Sequence, residues 1–113
     1  MMAEYNKNAV SEVGTLEVKT VAAAVTLTKK DRMVEIITNG TYTITLPPIA
    51  ECIGLIFVIF QSGAGTNTVT ISDNNAIYGD SLSWTDQVLN ATGERVVLLA
   101  TNKQWIVLVG QTS

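Results

Sequence analysis

The 113-residue chain has no histidine, one cysteine and two prolines. The lack of histidine excludes Ser-His-Asp and Cys-His catalytic arrangements, and with them the commonest general base. One thiol without histidine cannot make a zinc site. Cys52 stands alone, so no internal disulfide forms, which suits a protein made in a reducing cytoplasm. Charge is scarce: Asp, Glu, Lys and Arg make up 15% of the residues, and the net charge is −3 with pI near 4.7. So acidic a chain argues against nucleic-acid binding through a basic surface. The longest apolar run, Ile53 to Phe60, is eight residues. A helix that spans a bilayer needs roughly 20. Residues 1–13 carry Glu4, Lys7 and Glu12 and lack the apolar stretch of a signal peptide. Neither membrane insertion nor export is expected.

The residues that are abundant are apolar and β-forming. Hydrophobic residues are 47% of the chain and the mean hydropathy is +0.29. This is not a disordered composition, and the length predicts one domain with one core. Residues 1–15 show no period and are read as a flexible N-terminal arm, leaving 16–113 as a single β domain. Leu16–Thr20 and Ala24–Thr28 are weak first strands, and Met33–Thr38 is a better one. Thr41–Leu46 alternates cleanly, with Tyr42, Ile44 and Leu46 on one face and three threonines on the other. Asn39-Gly40 between two such runs predicts a hairpin, because both turn positions then take positive φ.

Pro47-Pro48 stops the ladder, since proline has no N–H to donate. A short connection over Ile49–Ile53, about one helical turn, leads to Gly54. Leu55–Phe60 then reads as a strand buried on both faces, safe only in mid-sheet or against a partner chain. Gln61–Asn67 is a turn, Thr68–Ser72 alternates again, and Ile77–Trp84 holds short, glycine-interrupted structure. Gln87–Asn90, Arg95–Ala100 and Gln104–Val109 are the last strands, with a tight turn at Thr101–Lys103. Many short strands with frequent turns predict an all-β, antiparallel sandwich of jelly-roll type.

No residue constellation points to catalysis. The ten carboxylates are scattered. Cys52 has apolar neighbours and no cation beside it, so it reads as a plain buried thiol. Asp73-Asn74-Asn75 with Asp80 offers oxygen ligands, but the EF-hand spacing fails because Tyr78 stands where glycine is needed, and a turn is the better reading. Ser62-Gly63-Ala64-Gly65 lacks the Lys-Ser/Thr of a phosphate-binding loop. The sequons at Asn39 and Asn90 are read as chance matches. Lys29-Lys30-Asp31-Arg32 is a solvated turn. Trp105 lies in an apolar strand and is expected in the core, whereas Trp84 has polar neighbours and is open to a ligand role. The expectation is a non-enzyme with no cofactor and no metal.

One run of segments has a recognisable order. Thr43-Ile44-Thr45-Leu46-Pro47-Pro48 is followed by Gly54 and an apolar strand, then Gly65-Thr66-Asn67-Thr68-Val69-Thr70-Ile71. Next come Ile77-Tyr78-Gly79, Glu94-Arg95-Val96-Val97-Leu98-Leu99 and Thr101-Asn102-Lys103-Gln104-Trp105. Over roughly residues 25–110 this resembles a β-domain of tailed-bacteriophage virion proteins, found in tail fibres and head decoration proteins. The resemblance implies a virion structural protein, made in the host cytoplasm and commonly a homotrimer. With one small domain behind a short arm, the head decoration (cement) reading comes first, with the major capsid protein as partner. The arm then supplies the expected capsid contacts, Tyr5, Val10, Val13 and Leu16. The alternative is a tail-fibre or receptor-binding module that meets host saccharide through Trp84 and Asn67.

Overall fold

The computed structural model describes residues 17–37, 40–63, 68–74 and 87–110. The arm therefore lies outside the described residues, as do Asn39, the loop from Ala64 to Asn67, and the segment that holds Ile77, Asp80 and Trp84.

The described chain is all-β with a single short 3₁₀ turn. Its strands are β1 (Val18–Val21), β2 (Val25–Thr26), β3 (Met33–Ile36), β4 (Tyr42–Thr45), β5 (Ile56–Gln61), β6 (Val69–Ser72), β7 (Gln87–Leu89), β8 (Arg95–Ala100) and β9 (Trp105–Val109). They form two mixed sheets. Sheet A has the order β1-β3-β5-β8-β9, and sheet B has the order β2-β4-β6-β7.

From β1 to β6 the chain changes sheet at every strand. The result is a coil of three rungs, β1–β2, β3–β4 and β5–β6. Rungs stack by parallel pairing: Val18 beside Met33 and Met33 beside Val58 in sheet A, Val25 beside Ile44 and Ile44 beside Ile71 in sheet B. Parallel neighbours need a crossover connection. Here each crossover is itself a strand of the opposite sheet. Antiparallel pairs appear only where β7, β8 and β9 close the structure.

This topology corrects the antiparallel expectation, because β3 and β4 do not pair with each other. They lie in different sheets, so Asn39-Gly40 is not a hairpin turn. The physical reason is visible at Gly40. Among the described residues, positive φ occurs only at Gly54 (+87°) and Gly93 (+94°). Without positive φ at Gly40, a tight hairpin turn of the favoured kind cannot form. The chain instead runs on to the second sheet.

Both sheets turn apolar side chains into one shared core. Sheet A contributes Val34, Ile36, Phe57, Ile59, Val96 and Leu98, and sheet B contributes Ile44, Val69, Ile71 and Leu89, all fully buried. Burying each such side chain stabilises the fold by roughly 1.5–3 kcal/mol. Trp105 is in the core as expected. Its ring meets Phe57 edge to face, with centroids 5.3 Å apart and planes at 83°, the offset arrangement that the aromatic quadrupole favours.

The connection after β4 behaves as its prolines imply. Pro48 precedes a 3₁₀ turn, Ile49–Glu51, and Ile49 and Cys52 are buried against the core. The Gly54 amide donates to the Ala100 carbonyl (2.8 Å), and the Ala100 amide donates to the Leu55 carbonyl (3.1 Å). These bonds deliver β5 between β3 and β8, in the middle of sheet A.

Candidate functional site

A strand sends alternate side chains to opposite faces of its sheet. Since one face of each sheet is packed into the core, the other face is the surface offered to everything else. The two outer faces differ sharply.

Sheet B presents Thr26 beside Thr45 beside Ser72, and next to that row Thr43 beside Thr70 beside Val88. This is a hydroxyl surface, already compatible with water. Sheet A presents the opposite chemistry. One row across all five strands reads Val18, Met33, Val58, Val97 and Val109. A second row places Ile56 beside Leu99 beside Ile106. These side chains are half-buried to exposed. Val18 (49%), Ile56 (47%) and Val109 (44%) are the most open of them. Val109 belongs to this face because of a register shift between Val97 and Leu98 in the β8–β9 pair. A bulge re-aims the residues after it, so Val109 stands opposite Val97 instead of continuing the inward series of Trp105 and Val107.

This face also corrects the reading of Leu55–Phe60. Within the single chain β5 buries one face only, through Phe57 and Ile59. Ile56, Val58 and Phe60 look outward. Of the two settings in which this run is safe, the mid-sheet one is found, and within the single chain only one face is buried.

Charge enters sheet A's outer face in one row, Thr20 beside Glu35 beside Phe60 beside Arg95. The Ser62 hydroxyl donates to Glu35 Oε2 at 2.7 Å, and Arg95 Nη1 donates to the Gly93 carbonyl at 3.2 Å. Local bonds therefore hold both charged groups at the same end of the sheet, with the Phe60 strand between them. At 4.7–4.9 Å per strand, their backbones are roughly 10 Å apart.

The remaining features are less developed. An open cleft of about 360 Å³ at the β1 edge is lined by Glu17, Val18, Lys19, Lys30 and Asp31. Its carboxylates and ammonium groups are mixed, and its walls lie at a strand edge and a turn. In that turn Asp31 Oδ2 accepts from the Thr28 amide (2.9 Å) and the Thr28 hydroxyl (3.0 Å), as a solvated turn should. No group of three or more potential metal ligands occurs among the described residues. Asp73 is buried, while Asp80, its partner in the oxygen-ligand reading, lies outside the described residues. Cys52 is a buried thiol that takes part in no disulfide.

The sequence-predicted contact residues Tyr5, Val10, Val13, Leu16, Asn67 and Trp84 all lie outside the described residues. Sequence reasoning missed Glu35, Phe60 and Arg95 as a set. The signal was present in the runs Leu55–Phe60 and Arg95–Ala100, which are apolar at successive positions and so cannot hide every side chain in one core.

No family model, curated protein or solved structure matches the chain.

Proposed function

We propose that this chain is a non-enzymatic structural protein that works as an assembly of identical copies, and that its setting is the tailed-phage virion, as a head decoration (cement) protein. The observation that carries the assembly reading is the contrast between the two outer faces, hydroxyl-bearing on sheet B and apolar on sheet A. An apolar sheet face of this extent is stabilised by removal from water, and in a homo-oligomer the same face serves both sides of the contact. The virion setting is supported by the segment order quoted above. That resemblance also implies a unit of three copies, a shell of major capsid protein as the partner, and a sandwich-type domain.

The test is direct. Purified protein is incubated with preformed phage heads that lack a decoration protein, and bound copies and the disruption temperature of the shell are measured. The reading expects stoichiometric binding at many sites and a higher disruption temperature. Protein that neither binds nor stabilises the heads would sink the virion assignment.

A further inference from the structure

We infer that the partner covering sheet A's outer face is a second copy of the same chain, seated face to face about a two-fold axis that runs parallel to the strands over β5. This rests on the self-assembly reading above, to which it adds a register, and it sets a two-fold pair in place of the unit of three that the resemblance implies.

The argument starts from strand order. In β1-β3-β5-β8-β9 the strand β5 is central. A half-turn about an axis along β5 lays β3 of one copy over β8 of the other, and β1 over β9. Residues in one row stay in that row. In the charged row, Glu35 then lies over Arg95 of the second copy and Arg95 over its Glu35, while Phe60 meets Phe60. In the next row Val58 meets Val58, Met33 meets Val97, and Val18 meets Val109. Apolar groups fall on apolar groups, and the acid falls on the base, twice.

This match is not a general property of sheets. The acid and the base must sit at equal distances on opposite sides of the central strand, in one row. Moving either by one strand would leave a charge facing an apolar side chain, a costly burial. The bulge in β9 contributes as well, because it brings Val109 into line with Val18 of the second copy. Both charged groups are already held locally, Glu35 by Ser62 and Arg95 by the Gly93 carbonyl, so little side-chain freedom is lost when they meet. Two chains of 12.1 kDa make a pair of about 24 kDa, whereas the unit of three implied by the resemblance weighs about 36 kDa.

The experiment is sedimentation equilibrium and light scattering on the full chain, for wild type, Glu35→Arg, Arg95→Glu and the double reversal. Wild type is expected at about 24 kDa. Each single reversal sets like charges against each other twice and should weaken pairing on the order of 100-fold. The double reversal restores both contacts and should return pairing to near wild type, which also proves that the reversed chain folds. Glu35→Gln keeps a hydrogen-bond acceptor for Ser62 and should give an intermediate, salt-insensitive affinity. Single reversals that pair like wild type, or a double reversal that fails to recover while far-UV circular dichroism shows it folded, would overturn the register. A mass of about 36 kDa would overturn the two-fold pair but leave self-assembly standing. A single-chain mass would overturn both.

Discussion

Leu98 and Leu99 are neighbours on β8, yet they should respond very differently to truncation. Leu98 is fully buried, opposite Phe57 on the core face, while Leu99 is opposite Ile56 on the outer face. Leu98→Ala removes core methyl groups from a site that strands on both sides keep from collapsing. Such changes cost 2–5 kcal/mol, and for a domain of this size that is a fall in Tm of roughly 10–20 °C. Leu99 is only half-buried on the outer face, so its truncation should cost the single chain less, about 1 kcal/mol. If the outer face is the self-contact, association should show the reverse order, with Leu99→Ala weakening self-association roughly tenfold because the part of its apolar area that the single chain leaves open would be covered there. Urea unfolding at a concentration where the chain is dissociated measures the first quantity, and light scattering across a dilution series measures the second. Equal losses of single-chain stability would refute the assignment of faces, since they would mean that the single chain buries Leu99 as fully as Leu98.

Two further predictions follow from local geometry. Gly54→Ala and Gly93→Ala should each destabilise by about 1–2 kcal/mol through backbone conformation alone, because φ is positive at both and a Cβ there meets nothing within 4 Å; a series in which asparagine is no better tolerated than valine would contradict that cause. Burial raises the Tyr42 phenol above its usual pKa of 10.0, so the folded state holds that proton more tightly than the unfolded chain. Its contribution to stability is complete below pH 10 and is lost as pH rises from 10 through the folded pKa. Urea midpoints measured from pH 9 upward should therefore fall less steeply for Tyr42→Phe than for wild type, and identical slopes would remove Tyr42 as the source.

The strands themselves were legible in the sequence. Thr41–Leu46, Thr68–Ser72, Arg95–Ala100 and the short turn after Pro48 all appear close to where alternation, β-branched residues and proline put them. Their partners were not legible. Alternation reports which side of a strand is wet, and it says nothing about whether the next strand returns beside it or crosses to another sheet. Asn-Gly serves equally well at a hairpin and at a corner, and only the backbone angle at Gly40 distinguishes them. The rungs also escape a search for repeats, because the step from Val18 to Met33 is shorter than the step from Met33 to Val58, where the proline connection is inserted. The candidate surface was half visible. The excess of apolar residues over what one core can hold signalled an apolar outer face, but Glu35 and Arg95 fall in one row only once β3 and β8 are known to flank β5.

The coil has a consequence for how the chain reaches this state. From β1 to β5 no strand pairs with its neighbour in sequence. Each pairing must close a loop through the opposite sheet before its hydrogen bonds form, and such non-local order slows folding into the millisecond-to-second range. The central, strongly apolar strand β5 bears the longest wait. Ile56–Gln61 finds β3 already made behind it, but its other edge stays open until Arg95–Ala100 has been synthesised. During that interval the chain exposes an unpaired apolar edge, the condition under which β proteins join the wrong partners. Pro47-Pro48, which offers no amide to a passing strand, stands directly ahead of the segment most in need of that protection.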